Sequence, residues 1–503
     1  MSEGSTRVEM GDALKEKEIV DFYQVTKHSY VIIYRQDIKL LYSPVEPELS
    51  EEERRSLDVV KRYLSKTFYF NPRELKDKWW LISEELTNKV KEAKNKLMLD
   101  LSATSTEKIA YYIRRDYLGY GPIDVPMNDP YVEDISSTGA ESPVYVYHTK
   151  YEWLPTTIKF RDTEIYEAFV RRLAYRAGQE LVYANPIVEG PLPPKGYRAH
   201  LVLDAVTRKG ASFTIRRGSE IPMSIVKLIS LGTLTPKIAS YIWLMISYMR
   251  TILIAGPMAS GKTTLLNAIS MFIPPAKKVV TIEETSELRL ERENWTPLIV
   301  RPSSSPNIAN VTLFELLKSS LRQRPDYIIV GEIRGEEAYT FFQAISLGHG
   351  GLGTIHAESV EQTIRRLESH PLNIPRSMIP LVNTMIFTRI LRGAGGIYRK
   401  VFDVVDVMSY DPATEKINVS SVFHYDIVKD TWMESDALPG ITKISEISGI
   451  DEGELKKEML RREVFLSNLL KKGIESPTEV SRAIEEYMIN PDFAMAKYAP
   501  EAR

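Results

Sequence analysis

The sequence predicts an α/β core that follows an α+β domain and a helical N-terminal extension. Three observations lead to this fold class. Residues 223–400 alternate between strand-like and helix-like segments, which is typical of a parallel α/β sheet. Residues 119–217 carry β-type runs such as VYVYH and HLVLD, with Gly and Pro between them. Upstream, apolar residues recur at helical spacing between residues 86 and 97.

A short hinge is predicted between the two larger domains. The segment GSEIP is polar and contains Gly and Pro, as linkers often do. Beyond the core, two β-type runs flank PATEK, which predicts a β-hairpin, and charged helices follow. The predicted order is a disordered segment 1–18, a strand and helix extension 19–116, an α+β domain 117–217, the hinge 218–222, the α/β core 223–410, and a C-terminal hairpin with helices 411–503.

The N-terminal extension is predicted to contain strands followed by helices. The runs VTKHSYVIIY and DIKLLY are rich in β-branched and aromatic residues and predict strands. Ser50 and Glu53 form a capping-box signature that predicts a helix start. Thr104 and Glu107 form a second such signature. We interpret these helices as a small scaffolding bundle; the alternative is a docking surface for a partner.

The composition of the chain limits the kinds of function it can have. The chain has 503 residues, 43% of them hydrophobic, which is ample for more than one domain core. Its formal net charge of −2 gives no overall basic excess for nucleic-acid binding. The chain contains no cysteine, which excludes disulfides, thiolate zinc sites and a cysteine nucleophile.

No transmembrane helix is predicted from the hydrophobic runs. The longest run, residues 238–249, is too short to span a bilayer, and Arg250 interrupts it. The N-terminal segment is polar and has no apolar signal core. We therefore expect a cytoplasmic protein that works at a membrane surface.

The strongest motif is a phosphate-binding loop. The stretch GPMASGKTT matches GxxxxGK[ST] between an apolar strand and a helical pattern. Glycine lets such a loop turn its N–H groups toward an anion, and the helix that follows presents its positive end to phosphates. Lys262 supplies a compact charge for the phosphates, and the Thr263 hydroxyl suits magnesium. The predicted nucleotide-binding residues are Gly256, Pro257, Met258, Ala259, Ser260, Gly261, Lys262, Thr263 and Thr264.

Two acids end the next β-type run. VVTIEETSEL, residues 279–288, carries Glu283 and Glu284 at the predicted strand end. An acid there, beside the phosphate loop, could orient a water or a metal-bound water. The alternative is a solvated strand end.

Asp326 and Glu332 compete for a further acidic role. They flank the apolar strand of RPDYIIVGEIRG, with Asp326 before it and Glu332 after it. In parallel α/β sheets, ligands sit at the carboxyl ends of strands. The direction of the strand therefore favours Glu332 and makes Asp326 a strand cap.

Two histidines lie in GHGGLGTIHAES, residues 348–359. A neutral imidazole could donate a hydrogen bond to a γ-phosphate or to a water. His356 follows a strand-like run and is the stronger candidate for such a role. A structural role is the alternative for both histidines, and it is favoured for His349.

In this order, the phosphate loop, TIEETSEL, RPDYIIVGEIRG and GHGGLGTIHA resemble the secretion-system ATPases of type II and type IV secretion and of type IV pili. In that family they are the Walker A motif, an acidic Asp box, a Walker B motif of the GE type and a His box. The family has Asp where this chain has Glu284. The resemblance covers roughly residues 117–410. It points to the archaeal branch and its archaellum motor ATPase, with an archaeal adhesive-pilus assembly ATPase as the close competitor.

The resemblance implies a RecA-like P-loop ATPase core that uses ATP and Mg²⁺. Lys262 would hold phosphates, while Thr263 and Glu332 would act through Mg²⁺. Glu283 or Glu284 would polarise the attacking water, and the choice between them stays open.

The resemblance also implies arginines that reach the nucleotide from outside the core. Arg216 and Arg217 in GASFTIRR are favoured, with Arg198 third. Adjacent residues of a strand point to opposite faces, so we expect only one of Arg216 and Arg217 to reach the phosphates.

The assembly that the resemblance implies is a homo-hexamer whose two domains rotate about the hinge. Its implied partners are a polytopic membrane platform protein and other cytoplasmic motor subunits of a filament machinery. A nucleic-acid translocase is disfavoured by the near-neutral charge and by the pairing of the GE and His-box segments. A scaffold that binds nucleotide but scarcely hydrolyses it is the third alternative.

Overall fold

A computed structural model describes residues 18–69, 75–217, 222–301, 310–393 and 396–499. The chain divides into two units, Met1–Glu220 and Ile221–Arg503. The predicted disordered segment 1–18 lies outside the described residues except for Glu18, which begins the first strand. The predicted hinge 218–222 lies outside them in all but its last residue.

The first unit contains one nine-stranded sheet together with helices. Its strands are β1 (Glu18–Thr26), β2 (Ser29–Gln36), β3 (Lys39–Val45), β4 (Val132–Ser137), β5 (Pro143–His148), β6 (Glu152–Lys159), β7 (Ile187–Leu192), β8 (Tyr197–Val202) and β9 (Ser212–Arg216). Its helices are α1 (Glu51–Thr67), α2 (Leu75–Lys96), α3 (Ala103–Tyr117), α4 (Asp124–Asn128) and α5 (Thr163–Arg176). The strand order is β1-β2-β3-β6-β5-β4-β9-β8-β7. The N-terminal hairpins thus extend the sheet of the α+β segment.

The helices α1 to α3 form a small bundle. The predicted capping box of α1 is present, because Ser50 Oγ accepts from the Glu53 N–H at 3.1 Å and Glu53 accepts from the Ser50 N–H at 2.9 Å. At α3 the prediction of Thr104 as the cap is wrong. Ser102 caps this helix instead, accepting from the Ser105 N–H at 3.0 Å. The bundle interior is apolar and includes Leu57, Val60, Leu64, Leu86, Val90, Ile109 and Ile113.

The second unit is built on another nine-stranded sheet. Its strands are β10 (Ile252–Ala255), β11 (Val279–Glu283), β12 (Trp295–Ile299), β13 (Tyr327–Val330), β14 (Gly350–Ile355), β15 (Thr384–Gly393), β16 (Gly396–Asp411), β17 (Lys416–Asp426) and β18 (Thr431–Glu434). Its helices are α6 (Ile225–Ser230), α7 (Pro236–Ser247), α8 (Lys262–Ile269), α9 (Leu313–Ser320), α10 (Glu337–Ser346), α11 (Val360–Glu368), α12 (Pro439–Ser448), α13 (Glu452–Lys471), α14 (Pro477–Ile489) and α15 (Pro491–Tyr498).

Six strands of this sheet are parallel, in the order β12-β11-β13-β14-β10-β15. These strands are continuous apolar runs in the sequence because both of their faces are buried, as β10 shows. Ile252 and Ile254 pack into one core, and Leu253 and Ala255 pack into another on the opposite face. Because the strands are parallel, the carboxyl ends of β10, β11, β13 and β14 lie at one edge of the sheet.

The sheet extends beyond the parallel strands that the sequence predicts. Strands β16, β17 and β18 continue it antiparallel, so the whole sheet is mixed. The predicted hairpin is formed by β16 and β17, with Asp411 opposite Lys416. The sheet therefore runs across the predicted boundary at residue 410.

The longest apolar run of the sequence is a buried helix. It largely coincides with α7, in which Trp243 is fully buried and stacks on Phe272 at 5.0 Å between ring centroids. In the part of the chain that the structure describes, no helix has the length and apolar character needed to cross a membrane.

Candidate nucleotide-binding site

The phosphate loop connects β10 to α8, as the motif predicts. Gly261 adopts the left-handed conformation, with φ of 89°, and immediately precedes the helix. Gly256 has no room for a side chain, because a Cβ there would lie 2.4 Å from Thr388 Oγ1. Thr263 and Thr264 lie in the first turn of α8 and are half-buried. The loop can therefore direct its N–H groups and the helix N-terminus toward an anion.

Lys262 is held within the loop. Its Nζ donates to the Pro257 carbonyl at 2.8 Å and lies 3.3 Å from Nδ1 of His356. Burial lowers the pKa of Lys262 to about 8, against the opposing charge of Glu332. An anion in the loop would favour the charged ammonium and raise this pKa again.

His356 connects the phosphate loop to the acid that follows β13. Its Nε2 lies 3.3 Å from Glu332 Oε1, while its Nδ1 faces Lys262. Burial, and then the charge of Lys262, lowers the pKa of His356. A neutral ring that carries its proton on Nε2 satisfies both contacts, accepting from Lys262 and donating to Glu332.

Glu283 is buried at the end of β11. Its Oε1 accepts from the N–H groups of Glu287 and Leu288 at 3.0 and 2.9 Å. Its Oε2 is also buried and has no hydrogen-bond partner in the described part of the chain. Burial raises the pKa of Glu283 to about 7, which places its titration near neutral pH.

Glu284 has a different environment from its neighbour. It is partly exposed and forms an ion pair with Arg334, which follows Glu332 by two residues. Arg334 and Gly335 also donate backbone N–H groups to Glu337 at 2.7 and 2.8 Å. The ion pair joins the acidic segment after β11 to the segment after β13, and the two N–H bonds hold the latter segment onto the start of α10.

Asp326 and His349 lie at the opposite edge of the sheet. Asp326 accepts from the Lys278 N–H and from the Lys277 ammonium, each at 2.9 Å. Burial would raise the pKa of Asp326, but these two donors outweigh it and keep the pKa below its ordinary value. His349 Nδ1 lies 2.7 Å from the Pro325 carbonyl. Both residues support the strand starts, as expected for a strand cap and a structural histidine.

The candidate arginines belong to the first unit. Arg198 and Arg216 are cross-strand neighbours on β8 and β9, and both are partly exposed. Arg198 pairs with Glu189 at 2.8 Å, and Arg216 pairs with Asp134 at 3.3 Å. Their shared position makes them a cationic pair on one face of the sheet.

Arg217 has a different role from its neighbour. It is buried, and its guanidinium donates to the carbonyls of Pro126, Asp129 and Val132. Arg216 and Arg217 thus face opposite ways, with Arg216 exposed and Arg217 buried. Arg217 is thus committed to its own unit, and we correct the favoured set to Arg216 and Arg198.

The sequence predictions miss three residues near the loop, of which only Glu287 lies in a motif segment. Thr388 of β15 lies against Gly256, and Arg399 of β16 donates to the Ala259 carbonyl at 2.9 Å. Glu287 is exposed, and its charge acts on Lys262 and Glu283. Thr388 and Arg399 approach the loop only through the sheet, so no local pattern could have found them. The proximity of Glu287 to two acids in TIEETSEL was the one available signal.

A glycine-rich loop between a buried parallel strand and a helix, facing a histidine and carboxylates, defines a P-loop nucleotide-binding protein. The family model described as "Type II/IV secretion system protein" matches residues 119–395, which is more than half of the chain. The chain therefore belongs to the type II/IV secretion system protein family. With a complete phosphate loop on the α/β core, it is an ATPase of that family.

Relatives occur in Methanocaldococcus jannaschii. The chain is 34% identical to uncharacterized protein MJ0900 over 382 residues, which cover 73% of this chain and 69% of that protein. It is 43% identical to uncharacterized protein MJ1287 over 244 residues, which cover 48% of this chain and 90% of that protein. Among solved structures, the Legionella pneumophila ATPase DotB matches with a TM-score of 0.42 and 18% identity, over 72% of this chain and 94% of that chain.

Proposed function

We propose that this chain is a Mg²⁺-dependent ATPase that powers the assembly or rotation of an archaeal surface filament, the archaellum. An assembly ATPase of an archaeal adhesive pilus or of a secretion system is the alternative. The observation that carries the proposal is the line of contacts from Lys262 through His356 to Glu332, with 3.3 Å at each step. It joins three of the four motif segments at the carboxyl edge of the parallel sheet, where ligands of such sheets bind.

ATP would bind with its phosphates in the loop between β10 and α8. Lys262 would exchange the Pro257 carbonyl for phosphate oxygens, and the Thr263 hydroxyl and Glu332 would hold Mg²⁺, partly through water. These oxygen donors fit the ligand preference of Mg²⁺. The bound ion would neutralise charge on the phosphates. His356, released from Lys262 and still donating through Nε2 to Glu332, would have Nδ1 free to accept a hydrogen bond from a water.

Between the two acids after β11, we favour Glu283 as the proton acceptor for the attacking water. A general base works best when its pKa lies near the operating pH, and burial gives Glu283 a pKa of about 7. Its Oε2 has no partner among the described residues, so it can take a proton without losing a bond. Glu284, held by Arg334, would orient the segment rather than accept the proton.

Arg216 and Arg198 are our candidates for stabilising the charge that develops during phosphoryl transfer. Arg198 pairs with the exposed Glu189 and can change partner at low cost, whereas Arg216 would leave the largely buried Asp134 without its cation. They would approach the phosphates from the first unit of the same or a neighbouring subunit. Movement of the two units on nucleotide binding would then convert hydrolysis into mechanical work.

The working assembly would be a homo-hexameric ring at the cytoplasmic side of the membrane. Its partners would be a polytopic membrane platform protein and other motor subunits, and no nucleic acid is expected. The relatives in Methanocaldococcus jannaschii support the archaeal part of this proposal. Sedimentation with ATP should show a species of six subunits, and monomers alone at every protein concentration would contradict the ring.

Replacement of the chain by its Glu332→Gln variant in the cells that produce it tests the filament function. We expect the variant protein to be present at normal levels and one type of filament to be missing from electron micrographs, because the ring would bind ATP without hydrolysing it. Which filament disappears, the archaellum or the adhesive pilus, decides between the two alternatives. Normal numbers of both, with normal motility and secretion, would contradict the proposal.

A further inference from the structure

We propose that Thr388, on β15, is a positioning residue whose hydroxyl sets the shape of the phosphate loop and thereby its affinity for nucleotide. The proposal rests on the nucleotide site described above. Thr388 belongs to none of the four motif segments, and it reaches the loop from a neighbouring strand. Its side chain is 2% exposed, as is that of Ser260 in the loop.

The sheet register places Thr388 beside the start of the loop. Strand β15 runs parallel to β10, with Phe387 opposite Ala255, the last residue of β10. Thr388 is thus level with Gly256, the first loop residue. A Cβ on Gly256 would lie 2.4 Å from Thr388 Oγ1 and 2.7 Å from the Thr388 carbonyl oxygen. The loop therefore leaves the strand in direct contact with Thr388.

Two buried hydroxyls join Thr388 to the interior of the loop. Ser260 Oγ lies 2.8 Å from Thr388 Oγ1 and donates to the Pro257 carbonyl at 2.8 Å. Each hydroxyl has one proton, so Ser260 can donate to Pro257 only if Thr388 donates to Ser260. The other acceptor near Thr388, the Ala255 carbonyl, is more distant at 3.2 Å.

The same carbonyl also holds the lysine of the loop. Lys262 Nζ donates to the Pro257 oxygen at 2.8 Å, so that oxygen receives both Ser260 and Lys262. A continuous line of hydrogen bonds thus runs from Thr388 through Ser260 and Pro257 to Lys262. Because the line is buried, loss of one hydroxyl leaves the next without its partner and frees the loop to change shape.

The test is a titration of the full chain with ADP in the presence of MgCl₂, measured by calorimetry. Thr388→Val keeps the shape of the side chain and removes its hydroxyl. We expect the dissociation constant for ADP to rise about fivefold or more, which is the effect of losing one buried hydrogen bond. Thr388→Ser restores the hydroxyl and should restore the affinity to near that of the unaltered chain.

Thr384→Val is the matched control. Thr384 lies on the same strand at the opposite edge of the sheet, is equally buried, and donates to Asp406 at 2.9 Å. Its loss should lower the melting temperature and leave the ADP dissociation constant unchanged. If Thr388 had only a structural role, Thr388→Val would likewise lower the melting temperature and leave the ADP dissociation constant unchanged.

Ser260→Ala interrupts the same line from the loop side, so it keeps the proposal testable if Thr388→Val is poorly stable, and it too should raise the ADP dissociation constant about fivefold or more. Where both variants fold, a double-mutant cycle tests whether the two hydroxyls act together. If the two hydroxyls act as one unit, the double variant binds ADP no more weakly than either single variant. The proposal is overturned if Thr388→Val binds ADP within twofold of the unaltered chain, if Thr388→Ser does not restore affinity, or if the two substitutions act additively. Absence of ADP binding by the unaltered chain would instead overturn the nucleotide site itself.

Discussion

At the scale of single residues, burial shifts the pKa values of three side chains of the candidate site, Lys262, His356 and Glu283. Lys262 and His356 share one contact, and burial lowers the pKa of each. The imidazole is therefore neutral near pH 7, and its two nitrogens can take opposite roles. When phosphate draws Lys262 away from the Pro257 carbonyl, the contact between Lys262 and His356 can change at the same moment. Occupation of the loop is thus linked to Glu332 through one ring.

Glu283→Gln tests the carboxyl that titrates nearest to neutral pH. With a pKa of about 7 for Glu283, ATP turnover of the unaltered chain should rise as pH increases through about 7. The variant should lose at least about tenfold in turnover, because it has no carboxylate to accept the proton. Glu284→Gln is the control, since it leaves Glu283 in place and should keep the pH profile.

The same substitution has a consequence for stability. The pKa of Glu283 is raised in the folded chain, so its stabilising contribution is full below the ordinary carboxyl pKa and is lost as pH rises toward 7. Across that window the variant should gain at most about 3 kcal/mol in unfolding free energy relative to the unaltered chain.

Full turnover of Glu283→Gln with an unchanged pH profile would contradict the assignment of Glu283 as the proton acceptor.

At the scale of elements, strand direction explains why the candidate residues lie close together. The loop after β10, Glu332 after β13 and His356 after β14 converge because parallel strands end at one edge. The contact of Thr388 with Gly256 could not be predicted, since 132 positions separate them in the chain and only the sheet register joins them. Local sequence signals describe elements, whereas such contacts arise between elements.

The start of α3 shows how a local prediction can miss a helix cap by two residues. Thr104 and Glu107 fit the capping-box spacing, yet Ser102 supplies the cap. Ser102→Ala should lower the free energy of unfolding by about 1 kcal/mol, because it leaves an N–H group of the first turn without its acceptor. Thr104→Ala should cost nothing, since Thr104 is exposed and alanine favours helix. Urea denaturation of both variants measures the difference, and equal losses would contradict the assigned cap.

At the scale of the whole molecule, the sequence predicts many of the elements and candidate residues. It does not predict how all the strands pair or which side chains are buried. The mixed sheet continues beyond the parallel core because β15 and β16 pair antiparallel. A hairpin can be predicted from two apolar runs and the turn between them. Whether that hairpin pairs with the core sheet cannot be predicted from the same residues. Likewise, the sequence shows two adjacent arginines and does not tell which one is buried; in the structure it is Arg217.

We propose that ATP is hydrolysed at the carboxyl edge of the parallel sheet in the second unit. The most direct test compares ATP turnover by Glu332→Gln and Asp326→Asn, two matched substitutions at opposite ends of β13. We expect Glu332→Gln to lose about a hundredfold or more in turnover while retaining ADP binding. Asp326→Asn should stay within about twofold of the unaltered chain, since it affects only a strand cap and an exposed ion pair. Equal turnover in the two variants, or a greater loss in Asp326→Asn, would contradict the claim.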